Sequence, residues 1–195
     1  MKAKEINQTM QNANNNQPTE SSRRISVEST IMDSSWEEQK DVVGSIKKTI
    51  ETAIHYAESP PNTENKNLEV SLALANDDLI RVLNKEYRNI DKATNVLSFA
   101  QHDDTDEDDF SKAHEEARPD TYLLGDIILS YETIVKEAQE QNKTIYDHTM
   151  HMLVHGTLHL LGYDHEEENQ ATIMEGLEVE ILQELNIANP YTESI

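Results

Sequence analysis

The chain has 195 residues, with 16 Lys or Arg against 38 Asp or Glu for a net charge of −22, and it is 36% hydrophobic. That length and apolar content suit one domain built on one core and exclude wholesale disorder. The absence of cysteine excludes a disulfide scaffold, thiolate metal sites, iron–sulfur clusters and cysteine nucleophiles together.

Residues 1–22 are rich in Asn and Gln and poor in apolar side chains, which predicts a disordered tail. This stretch has neither the apolar core of a signal peptide nor the Arg content of a transit peptide. No apolar run approaches the ~18 residues of a membrane span, so a cytoplasmic protein without a membrane partner is expected. From Arg23 to Met32, alternation through Ile25, Val27, Ser29 and Ile31 predicts a first strand. A helix capped by Ser34 or Ser35 follows, with Val42, Val43, Ile46, Ile50, Ala53, Ile54 and Ala57 on its apolar face, ending before Pro60-Pro61. Leu68 to Ala75 reads as a second strand, and Asn76 as the cap of a short helix carrying Leu79, Val82, Leu83 and Tyr87. Two short apolar strands come next, Asn95 to Ala100 and Tyr122 to Ser130, on either side of an acidic insert at 102–120. Three helices are predicted from about Ser130 to Gln141, Thr144 to Leu161 and Glu166 to Leu185. A βαβ start combined with a hairpin predicts a single α+β domain over 23–191: a small mixed sheet of about four strands packed with about five helices.

The acidity is concentrated. His102 to Asp120 holds nine acids against Lys112 and Arg118, and Asp164 to Ile195 holds nine more with no Lys or Arg. Such runs read as solvated surface. The negative field opposes nucleic acid over the whole protein, while Arg81, Lys85, Arg88 and Lys92 leave a local basic stretch open to it.

Five histidines fall close together: His148, His151, His155, His159 and His165. On a helix, residues four apart lie about 40° apart around the axis and about 6 Å along it, so His155 and His159 can aim two imidazoles at one ion. A straight helix would carry His165 out of their reach. Gly162 removes that obstacle, because glycine just past a helix end takes the left-handed conformation that turns the chain back. Three neutral imidazoles with a fourth position for water describe a catalytic zinc site better than a structural one, so one Zn2+ per chain is expected and no nucleotide cofactor. His151, and with it His148, sits too far along the helix to join the same ion and reads as a supporting or packing residue. The spacing H-x-x-x-H-x-x-G-x-x-H matches the ligands of metzincin peptidases, in which Glu follows the first His as general base. Here that position is Gly156, which has no group to accept a proton.

The segment His155-Gly-Thr-Leu-His159-Leu-Leu-Gly162-Tyr-Asp-His165 resembles the signature of the YbeY family of bacterial endoribonucleases. Two further blocks agree: Leu83-Asn-Lys85-Glu-Tyr-Arg88-Asn-Ile-Asp91 with Thr94-Asn-Val-Leu-Ser-Phe99, and Leu124-Gly-Asp126-Ile127. The resemblance runs from about Ile25 to Tyr191. It implies a zinc-dependent, single-strand-specific endoribonuclease with His155, His159 and His165 as ligands and Arg88 as a catalytic residue. It further implies 3′-end maturation of small-subunit ribosomal RNA and ribosome quality control, with the ribosome or ribosome-associated proteins as partners. Ala93 and Ala100 stand where many relatives have Pro, and the acidic insert is unusual for an RNA enzyme.

Read from the residues alone, Arg88 either grips a phosphate beside Lys85 and Lys92 or is a helix-end arginine paired with Asp91 or Glu86. Lys85 and Lys92 are candidate RNA contacts. Asp126 either orients a ligand histidine or is a polar strand end. Two other functions compete with RNA cleavage: a zinc metallopeptidase or amidohydrolase, and a non-catalytic ribosome-associated protein stabilised by zinc.

Overall fold

Each predicted strand and helix has a counterpart in the computed structural model, which describes residues 23–58, 63, 66–101 and 120–192. The predicted tail and all of the acidic insert except Asp120 lie outside the described residues. The elements are β1 (Ile25–Ile31), α1 (Lys40–Tyr56), β2 (Asn67–Ala75), α2 (Asp77–Arg88), β3 (Val96–Ala100), β4 (Thr121–Ser130), α3 (Tyr131–Glu140), α4 (Ile145–Leu160) and α5 (Glu168–Glu184). The sheet order is β1-β2-β4-β3; β1, β2 and β4 are parallel and β3 pairs antiparallel with β4. The sheet is therefore mixed, as the chain order of elements predicts.

Local chemistry explains most boundaries. Asn76 caps α2, its side chain accepting from the Leu79 N–H, and Asn89 ends that helix at φ 59. The start of α1 differs from the prediction. Asp33, not a serine, caps a short 3-10 turn over Ser34–Glu38, and α1 begins only at Lys40. Trp36 accounts for the delay: it is fully buried, donates from Nε1 to the Ala75 carbonyl at 2.9 Å and meets the Tyr131 ring edge-on. Anchoring that indole to the end of β2 holds the chain out of the helix for one turn.

The two faces of the sheet are covered unequally. Val70, Leu72, Leu124, Ile127 and Leu129 join the main core with Ile46, Ile50 and Ile54 of α1 and Met150, Leu153 and Leu158 of α4. On the other face α2 covers only a small cluster of Ala75, Ile80, Leu97 and Ile128. Part of that face stays open as a groove of about 600 Å³ bordered by Glu28, Ser71, Tyr87, Phe99 and Asp126. Val82 and Tyr87, apolar residues of the helix predicted after Asn76, are 58% and 62% exposed, and Tyr87 borders the open groove. Helix α4 is central, with eleven of its sixteen residues buried. A helix apolar all round belongs inside a core, and this one carries the histidines. No helix among the described residues is long and apolar enough to cross a membrane.

Candidate metal centre

The end of α4 builds the site. Gly162 has φ +90, its N–H bonds to the His159 carbonyl at 3.0 Å, and the Tyr163 N–H bonds to the Leu158 carbonyl at 3.1 Å. This pair of bonds is the Schellman helix stop, which a glycine accommodates without a Cβ clash. Tyr163 then packs against the main core while its hydroxyl accepts the Glu58 N–H at 3.1 Å. The chain is thereby reversed, and His165 comes back over the last turn. Ring centroids are 4.6 Å apart for His155–His159, 5.3 Å for His155–His165 and 5.0 Å for His159–His165. Each of the three offers one nitrogen within 4.8 Å of the others, a group able to hold a metal ion.

The donor set fits such an ion. The Nε2 atoms of His155 and His159 lie 3.1 Å apart, close to the ~3.3 Å separating two ligands at ~2.0–2.1 Å on a tetrahedral ion. His155 turns its other nitrogen, Nδ1, to Glu178 Oε1 at 2.8 Å. Burial, followed by the neighbouring His155 and His165, pushes the His159 imidazole down to about 4 against smaller opposing effects of Asp164 and the Tyr163 backbone. A ring that stays neutral keeps its lone pair for a metal. Glu178 lies at the opposite extreme. Burial would raise its carboxyl, but hydrogen bonds from His151, His155 and Tyr191 outweigh burial and bring it down to about 2.

Gly156 faces away from this cluster. A Cβ built there would lie 2.9 Å from Ser98 Oγ, 3.2 Å from Ile127 Cγ2 and 3.3 Å from Val96 Cγ2. The helix thus approaches β3 and β4 closely at the position where a metzincin carries its general base, and a side chain there would enter the sheet.

A sequence profile described as Endoribonuclease YbeY matches residues 30–186. The chain belongs to the YbeY family. It is 41% identical over 169 residues to an endoribonuclease YbeY of Bartonella bacilliformis, covering 87% of this chain and 98% of the relative. It is 46% identical over 131 residues to the one of Magnetococcus marinus, covering 64% of this chain and 83% of the relative. A solution structure of a Thermotoga maritima protein is similar at 20% identity with a TM-score of 0.45, covering 83% of this chain and 92% of that one.

The remaining residues of the YbeY resemblance are distributed on both sides of the sheet. Arg88 is the last residue of α2 and is exposed. Tyr87 beside it packs against Phe99 with ring centroids 5.1 Å apart, whereas Ser98 faces Gly156 on the other side of β3. The α2 end and helix α4 therefore flank the same edge strand from opposite faces. The alternative pairing of Arg88 with Asp91 does not occur. Asp91 instead takes Arg81 at 2.6 Å and Lys85 at 2.9 Å, and those hydrogen bonds lower its carboxyl to about 2. Lys85 is thus occupied by an acid, while Lys92 is exposed and uses its carbonyl to accept from Asn84 at 2.7 Å.

Asp126 is not brought to the histidines. It pairs with Phe99 across the β3–β4 ladder and hydrogen-bonds Ser71 in the open groove, on the face opposite Ile127 and α4. The place beside one of the clustered histidines is taken instead by Glu178, next to His155, which the sequence reading missed. His151 does approach the site through that residue, with Nε2 2.8 Å from Glu178 Oε2. His148 points elsewhere, its Nε2 2.8 Å from Glu137 Oε2, and Asn95 donates to the same oxygen at 2.9 Å.

Proposed function

We propose that this chain is a zinc-dependent endoribonuclease that cuts single-stranded RNA, and that it acts in the cytoplasm on the 3′ end of small-subunit ribosomal RNA as part of ribosome maturation and quality control. The convergence of three imidazoles from a helix and its reversed tail carries this reading. The endoribonuclease names of the family profile and of the Bartonella and Magnetococcus relatives support the substrate. Zinc suits three neutral imidazoles and open coordination, although imidazole also accepts nickel, cobalt and copper.

In this account His155, His159 and His165 are the ligands, and the ion supplies Lewis acidity and water activation near neutral pH. Arg88 would hold a phosphate oxygen through its guanidinium and stabilise the charge that builds as the phosphodiester is attacked. Its lack of an ion pair among the described residues leaves the guanidinium available, and Lys92 would add a second contact to the backbone. To touch both Arg88 and the histidines, a single strand would have to pass around the β3 edge from the α2 side to the α4 side. The attacking oxygen is either water or the neighbouring 2′-OH of the RNA. Product ends distinguish them: a 2′,3′-cyclic phosphate would mean internal attack.

The test is cleavage of a labelled single strand and of its duplex by wild type, Arg88→Ala and Lys85→Ala. Loss of one transition-state donor typically costs about 10²–10³ in rate, so Arg88→Ala should fall about 100-fold while Lys85→Ala, already committed to Asp91, changes little. Equal cleavage of duplex and single strand, or an unaffected Arg88→Ala, would contradict the proposal. A protein that cuts peptides and leaves RNA intact would restore the peptidase alternative, which the packing of Gly156 against the sheet opposes.

A further inference from the structure

Helix α5 presents Met174, Glu178, Ile181 and Leu182 on its buried stripe. An acid among three hydrophobic residues at helical spacing is costly unless its oxygens are satisfied. Here both are. Oε1 lies 2.8 Å from His155 Nδ1 and Oε2 lies 2.8 Å from His151 Nε2. The Tyr191 hydroxyl also donates to Oε2. The carboxylate is 1% exposed, so no solvent exchange relaxes this arrangement.

The hydrogen-bond directions have a consequence for His155. An ionised carboxylate only accepts, so His155 Nδ1 carries its hydrogen and Nε2 is left as a bare lone pair. Nε2 is the atom 3.1 Å from His159 Nε2, on the side facing the other imidazoles. One hydrogen bond thus selects the tautomer and fixes the ring torsion. The carboxylate in turn is held by two groups that are not ligands. His151 reaches it from the preceding turn of α4, and Tyr191 from the segment after α5. That segment is tied down by Lys143, whose Nζ donates to the Pro190 carbonyl at 2.9 Å, and by the Tyr191 ring lying edge-on to His151 with centroids 5.7 Å apart.

We propose that Glu178, clamped by His151 and Tyr191, is the positioning residue that sets the tautomer and orientation of His155 for metal binding, so that the C-terminal segment is part of the metal centre. This rests on the reading of the three histidines as ligands. Removing an outer partner of a metal ligand typically weakens binding about 10–100-fold.

The test uses the full chain stripped of metal. Wild type, Glu178→Gln and Tyr191→Phe are titrated with Co2+ in competition with a chelator, and the histidine tautomers of the metal-free proteins are read by long-range 1H–15N NMR. Glu178→Gln should bind Co2+ about 10–100-fold more weakly with its circular dichroism unchanged. Metal-free wild type should show His155 as the Nδ1–H tautomer, and Glu178→Gln, whose NH2 can donate to Nδ1 where a carboxylate only accepts, should weaken that preference. Tyr191→Phe keeps the ring on His151 and should weaken Co2+ binding by a smaller factor. A folded Glu178→Gln with affinity within about twofold of wild type, well short of the usual outer-partner effect, or a wild-type His155 protonated at Nε2, would overturn the inference. If Glu178→Gln does not fold, Tyr191→Phe decides, and unchanged affinity with an unchanged tautomer overturns it. Wild type that takes up no Co2+ would instead refute the ligand assignment underneath.

Discussion

Filling the contact between α4 and the sheet at Gly156 gives a quantitative test of the packing. An alanine Cβ at this site meets Ser98 Oγ at 2.9 Å, Ile127 Cγ2 at 3.2 Å and Val96 Cγ2 at 3.3 Å. Ser98 Oγ has no hydrogen-bond partner among the described residues and can rotate aside at little expense, but the two branched side chains are held by the sheet. Helix propensity alone would favour Ala over Gly by about 0.8–1 kcal/mol, while overpacking costs about 1–3 kcal/mol. The expected outcome of Gly156→Ala is therefore a net loss of about 0–2 kcal/mol in urea unfolding. Gly156→Glu adds a carboxylate without a partner to the same interface and should cost several kcal/mol more, on the order of a lost fold. It should yield no peptidase activity, because position 156 faces the sheet. A Gly156→Ala protein stabilised by the full ~1 kcal/mol of helix propensity would show that the interface has slack and refute the reasoning.

Two other perturbations act on the strand β4 and on His159. At Gly125, where φ is +138 and a Cβ would lie 2.1 Å from the Phe99 carbonyl oxygen, alanine should cost at least ~3 kcal/mol; a change under ~1 kcal/mol in the unfolding free energy would contradict this close approach of β4 to β3. In the metal-free protein, His159 is depressed to about 4 from an unfolded value near ~6.5. Between these limits the unfolded chain binds more protons. This contribution to stability, held below the ~3 kcal/mol of the full shift because solvent screens the partly exposed ring, is complete above pH ~6.5 and lost as pH falls toward ~4. Urea midpoints at several pH values should show that slope in wild type and a flatter one in His159→Gln, and parallel curves would refute the assignment.

Much of the fold was legible because short-range chemistry decides it. The α1 stripe from Val42 to Ile54, the Asn76 cap and the Gly162 stop depend on neighbours within a turn or two, and each appears where periodicity and capping place it. The three histidines were legible for the same reason, since helix geometry and one glycine suffice to bring them together. What escaped the sequence depends on partners far along the chain. Glu178 is hidden in a run of nine acids that reads as solvated surface; its signal was its spacing from Met174, Ile181 and Leu182 on one helical stripe. The side taken by Asp126 follows from the β4 bulge, where Glu69 pairs with Leu123 but Val70 with Gly125, and no local pattern announces a bulge partner. The ion-pair alternative for Arg88 with Asp91 fails because Asp91 folds back to Arg81 and Lys85, a choice made by the tight turn after Asn89 rather than by separation in sequence.

The most direct measurement is metal content by elemental analysis of purified wild type and His159→Ala, with single-stranded RNA cleavage followed on both. Wild type should carry about one zinc per chain, as expected for a single three-histidine site. A His159→Ala protein that keeps its helical circular dichroism should lose both metal and cleavage. A variant that retains the metal, or a metal-stripped wild type that still cuts RNA at the original rate, would contradict a catalytic three-histidine metal site.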